Sequence, residues 1–129
     1  MNEPTFLSVA EVLALHDVQL VAFGGAAGLR DPGLLESAAA MPQMGFGEEY
    51  VHADLEEMAA AYLFHLVKNH PFVDGNKRVG FHAAYVFLAL NGLYLVMPEE
   101  SAYNLVIATA EGRATKAEIA AAFRDAVTT

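Results

Sequence analysis

His70-Pro71-Phe72-Val73-Asp74-Gly75-Asn76-Lys77-Arg78 places an imidazole, a carboxylate, an amide and two cations on one short stretch of chain. The protein has only seven Lys and Arg in 129 residues, and Lys68, Lys77 and Arg78 all lie in or beside this stretch. Scarce positive charge gathered at one turn points to a bound anion. Pro71 also forbids a helix from running through, and it biases His70 away from the right-handed helical region. Asp74-Gly75 reads as a turn. The stretch therefore separates two helices, and the fold is read outward from it.

Upstream, Asp54 with Glu57 reads as a capping box, followed by a regular apolar stripe of Leu55, Met58, Ala59, Tyr62, Leu63, Leu66 and Val67. That helix is expected to end near Asn69. Downstream, the chain from Asn76 to Asn91-Gly92 is apolar almost all round beyond its first turn, which predicts a helix over 76–91 running through the middle of the domain.

Further out, residues 1–7 read as a loose lead-in. Ser8 with Glu11 caps a first helix whose period carries Val9, Val12, Leu13, His16, Leu20 and Phe23, and Gly24-Gly25 stops it. Asp31-Pro32 opens a short helix to about Ala39. Residues 40–53 are irregular, with Met41, Met44, Phe46, Tyr50 and Val51 among Pro42, Gly45 and Gly47. The plainer expectation is a loop whose apolar side chains tuck onto the body. The functional one is a flap near the active turn, with an extended piece at 49–52 offering an edge to a partner segment. Leu93–Met97 reads as a short apolar link, Glu99–Glu111 as a helix, and Thr115 with Glu118 as the box opening a last helix with Ile119, Ala122, Phe123 and Val127 inward. The expected fold class is all-α: one six-helix domain over 1–129 around a buried central helix, with a short irregular or extended flap and no convincing sheet.

Composition narrows the function. No apolar run reaches the roughly 20 residues needed to cross a bilayer, and no basic region precedes an apolar one at the start, so a cytoplasmic protein without a membrane segment is expected. There is no cysteine, hence no disulfide and no thiolate chemistry. A net charge of -9 makes direct nucleic-acid binding a poor fit, whereas a nucleotide needs only a local positive site.

The turn supplies such a site. Gly75 to Arg78 begin a helix, where free N–H groups favour an anion and Gly75 permits close approach of a phosphate. Lys77 and Arg78 add charge, and Asn76 has two available roles, pinning a substrate oxygen or tying the loop to itself. A carboxylate beside phosphates calls for a cation between them, so Asp74 is the candidate ligand for Mg²⁺. His70 is the candidate base for a hydroxyl, while Phe72 should face the core. Any one of these residues would ordinarily be a solvated cap; a purely structural turn does not need all of them. The pattern is not a P-loop, nor does it offer zinc spacing. His16 is expected as a satisfied core residue and His65 as exposed; for His82, one turn beyond Arg78, a structural place is the first reading and a place at the site the second.

The nine-residue stretch resembles the signature of the Fic/Doc superfamily, His-Pro-Phe-x-Asp/Glu-Gly-Asn-Gly-Arg-x-x-Arg, and Lys77 in place of the second glycine is similar to the Doc (death-on-curing) toxin branch. The likeness extends over Leu15-His16-Asp17, Gly24-Gly25, Gly28-Leu29-Arg30-Asp31-Pro32-Gly33 and Asn91-Gly92. The resemblance implies a toxin of a toxin–antitoxin system that acts as a transferase with ATP and Mg²⁺. In the Doc form it is a kinase that phosphorylates a threonine of elongation factor Tu and blocks translation. His70 would be the base, Asp74 the magnesium ligand, and Gly75, Asn76, Lys77 and Arg78 the phosphate site. Lys68 stands where Doc carries an arginine that assists transfer. Two other readings are an AMP transferase and a catalytically silent module that binds an antitoxin. Phe81 replaces the final arginine of the AMP-transferring form, which weakens that alternative. The string from Ile107 to Glu111-Gly112 lacks the hydroxyl residue of self-inhibited Fic proteins, so restraint is expected from a cognate antitoxin. The apolar flank of Met41, Met44 and Phe46 is one seat for it.

Overall fold

The structure is a computed structural model and describes residues 3–129. Six helices carry the chain: α1 (Val9–Phe23), α2 (Pro32–Ala40), α3 (Leu55–Asn69), α4 (Asn76–Leu90), α5 (Glu99–Ala110) and α6 (Lys116–Ala126). Both outer capping boxes form as read: Ser8 and Glu11 exchange hydrogen bonds, as do Thr115 and Glu118. At α3 only half of the box is present. Asp54 Oδ1 accepts from the Glu57 N–H, but Glu57 reaches past its partner to Ala53 and is also held by Arg124.

The centre of the domain is α3, which corrects the expectation that 76–91 is the axis. α3 packs against α2, α4, α5 and α6. It is buried on every side through Met58, Ala59, Ala60, Ala61, Tyr62, Leu63, Leu66 and Val67. Its alanines are the reason, because a face without long side chains lets neighbours approach from several directions. Burying its Met, Tyr, Leu and Val side chains contributes about 1.5–3 kcal/mol each. α4 lies alongside, crossing where Gly80 faces Leu63 and Val67, but it leaves Tyr85 and Leu90 exposed.

The lead-in is not loose. Residues 1 and 2 lie outside the described part, but Thr5 exchanges hydrogen bonds with the Asn91 amide, and the Leu7 N–H donates to the Tyr62 hydroxyl at 2.8 Å. Leu7 is core, and burial pushes the Tyr62 hydroxyl up to about 12.

Two small ladders add to the helices. β1 (Gly45–Phe46) and β2 (Glu49–Tyr50) form a hairpin after a 3-10 turn at Met41–Gln43. β3 (Tyr94–Leu95) pairs antiparallel with β4 (Val127–Thr128), so Val127 belongs to a strand rather than to α6, and Ala120 takes the buried place expected of Ala122. The hairpin is the expected extended flap, in a different place and with different packing. It borders Glu3, Asp54, Leu90 and Asn91, at the start of α3 and the end of α4, away from the 70–78 turn. Met44, Phe46 and Val51 face solvent instead of tucking in, Phe46 at 85% exposure. A glycine at 45 is required, because a Cβ there would collide with the Glu49 carbonyl across the ladder.

Candidate active site

α3 ends at Asn69 and α4 begins at Asn76, so the linking turn stands at the helix pair's common end. Phe72 is buried and stacks on the His16 ring at 3.7 Å. His16 Nε2 bonds the Asp74 carbonyl at 2.7 Å; a carbonyl only accepts, so that nitrogen carries the proton. His16 is thus a satisfied core histidine. Asn76 commits both ends of its amide to Phe72, accepting from its N–H at 2.9 Å and donating to its carbonyl at 3.0 Å. Of the two roles open to Asn76, its side chain takes the loop-closing one.

The turn is clasped from outside by residues 26–31. Val73 N–H donates to the Gly28 carbonyl, Leu29 and Phe72 form an isolated antiparallel bridge, and the N–H groups of Arg30 and Asp31 share the Pro71 carbonyl. Asp74 is anchored by backbone: Oδ2 accepts from Ala26 N–H at 3.1 Å and Oδ1 from Gly75 N–H at 2.8 Å. These two bonds, assisted by Arg78 and Lys77, hold its carboxyl below the usual range against a smaller opposing effect of burial.

These residues open on a cavity of about 750 Å³. His70, Asp74, Gly75, Asn76, Lys77 and Arg78 all line it. Gly75 caps α4 with φ 81° and no side chain occupies the first turn, so the N–H groups of residues 76–78 remain for a ligand. Arg78 lies over the Phe23 ring at 5.0 Å, which explains why Phe23, expected inward on α1, is exposed. His82 joins the wall, the second of its two readings, and accepts through Nδ1 from the Gln19 amide; burial holds its pKa below the ordinary value. The far wall is apolar and belongs to Phe81, Tyr85 and α5.

Two expected residues sit elsewhere. Lys68 does not line the cavity: Val67 does, and one step along the helix turns Lys68 toward Gly112 at the α5–α6 turn. His65 is half-buried rather than exposed, its Nε2 3.1 Å from the Lys116 ammonium, and burial lowers its pKa to about 4. Sequence reading also passed over Arg30, whose side chain bonds the carbonyls of Asn69 and His70; only the scarcity of cations marked it.

A helix N-terminus, a fixed carboxylate and a histidine thus share one cavity. The comparison with known proteins gives the family. A model of the Fic/DOC family matches residues 6–88, and the chain belongs to that family. It is 33% identical over 118 residues, 92% of either chain, to "Protein kinase doc" of Escherichia phage P1. It is 45% identical over 75 residues, 58% of either chain, to "Toxin Doc" of Mycolicibacterium smegmatis. Both relatives bear the Doc name, and the chain falls in that branch.

Proposed function

We propose that this protein is a toxin kinase that moves the γ-phosphoryl group of ATP to a Ser or Thr hydroxyl of a protein, with the whole chain acting as one Fic/Doc unit in the cytoplasm. The observation that carries the reading is the convergence of His70, Asp74 and the uncapped start of α4 on one cavity. The name of the phage P1 relative points the same way. The family resemblance suggests elongation factor Tu as acceptor and a cognate antitoxin as restraint.

In this reading the N–H groups of residues 76–78 hold phosphate oxygens, with Lys77 and Arg78 neutralising their charge. Asp74 fits Mg²⁺ through its ionised state: each oxygen has one backbone bond and retains acceptor capacity. Among the described residues no cluster of three or more His, Cys, Asp or Glu can hold a metal, so the ion would need phosphate oxygens too. Mg²⁺ bound there would neutralise phosphate charge. His70 takes the proton as the acceptor oxygen bonds the γ-phosphorus and the bond to the β-phosphate oxygen breaks, releasing ADP.

The test uses purified elongation factor Tu, Mg²⁺ and ATP labelled separately at α and γ, read by intact mass. One added phosphoryl group with γ label alone is expected, and His70→Ala should lower the rate by about 10²–10⁴-fold. Addition of AMP with α label would replace this reading by nucleotidyl transfer.

A further inference from the structure

His70 is the only non-glycine residue with positive φ among those described, at φ 51° and ψ 54°. A side chain disfavours that backbone, which persists only where the surroundings enforce it. Its surroundings are dominated by one residue. Arg30 Nε–H donates to the His70 carbonyl at 2.6 Å, and its Nη2–H to the Asn69 carbonyl at 2.9 Å. The Arg30 N–H donates to the Pro71 carbonyl at 2.7 Å. The Arg30 side chain thus holds two successive carbonyls, and its backbone shares the third with Asp31; the residue is exposed and does not line the cavity. A cation also suits the C-terminal end of α3, where carbonyls lack helical partners.

Fixing the His70 carbonyl fixes ψ, and fixing Asn69 fixes the peptide before it. The direction of the His70 side chain into the cavity follows from both. We infer that Arg30 is a positioning residue that holds His70 in its left-handed backbone and so aims the imidazole at the acceptor hydroxyl. This rests on the reading of His70 as base. A lysine supplies the charge but not the planar fork, so it should replace Arg30 only in part.

The test compares Arg30→Ala, Arg30→Gln and Arg30→Lys with wild type. Transfer from γ-labelled ATP to elongation factor Tu is measured well below each melting temperature. The second readout is the strong intraresidue amide–Hα NOE of His70, which marks a left-handed residue. Arg30→Ala should lose the NOE and lower kcat about 10–100-fold with KM for ATP held within about threefold. Methylguanidine should restore part of kcat, and Arg30→Lys should fall between. If Arg30→Ala does not fold, Arg30→Gln is expected to show the same loss. A retained NOE, or an unchanged kcat beside a lowered melting temperature, would reduce Arg30 to a helix cap and overturn the inference. Should wild type transfer nothing, the kinase reading fails on its own, and the NOE still decides the role of Arg30.

Discussion

Asp74 shows how much a single side chain is asked to do here. One carboxylate ties the end of the α1 loop to the 70–78 turn and faces the cavity as well. Gly25 makes the tie possible: at φ 119°, a Cβ there would stand 2.8 Å from Asp74 Oδ2. Because backbone donors favour the charged form, the folded pKa lies below the unfolded one. The anchor is therefore complete above the ordinary value of 3.8 and is lost only as pH falls through the lower folded pKa. The amide proton of Ala26, followed by NMR, should titrate with a midpoint under 3.8; a midpoint above it would mean that the bond is not formed in solution. Asp74→Asn should abolish that titration.

Between elements, the α3–α4 crossing leaves little room. A Cβ on Gly80 would lie 3.0 Å from Val67 Cγ2 and 3.3 Å from Leu63. Gly80→Val should cost about 1–3 kcal/mol by forcing the helices apart, read as a lower melting temperature. A second test lies between α3 and α6, where His65 meets Lys116. Its pKa falls from 6.5 to about 4, so the unfolded chain binds the proton first and stability declines as pH drops through that window. His65→Gln should flatten the decline in thermal melts between pH 6.5 and 4. The caps at Ser8, Asp31 and Thr115, the break at Pro71 and the uncapped start of α4 were all legible, because each is set by neighbours in sequence. The hub was not. Both α3 and α4 read as apolar, and only packing reveals that the alanines of α3 admit neighbours on every side. Arg30 was illegible for a related reason: its acceptors are backbone carbonyls some 40 residues away, which leave no trace in residue type.

At the scale of the molecule, α3 is a rod of about 22 Å with the 70–78 turn at one end and the hairpin at the other. A partner seated on Phe46 would therefore lie at the opposite pole from His70. The cavity itself is assembled from α1, the end of α3, the turn with α4, and α5. The α5 wall of Ala102, Tyr103, Val106, Ile107 and Ala110 falls beyond the residues matched by the family. A chain stopped after residue 97 would keep the whole 70–78 turn, yet lack that wall and the α6 side chains Ile119 and Phe123 that cover α3. It should show no cooperative melt by circular dichroism and no phosphoryl transfer; a folded, active fragment would refute this. Synthesis then carries its own delay: a chain made only as far as residue 97 bears His70, Asp74, Lys77 and Arg78 but lacks the α5 wall of the cavity. On the proposed kinase reading, transfer waits until the penultimate helix has emerged and docked.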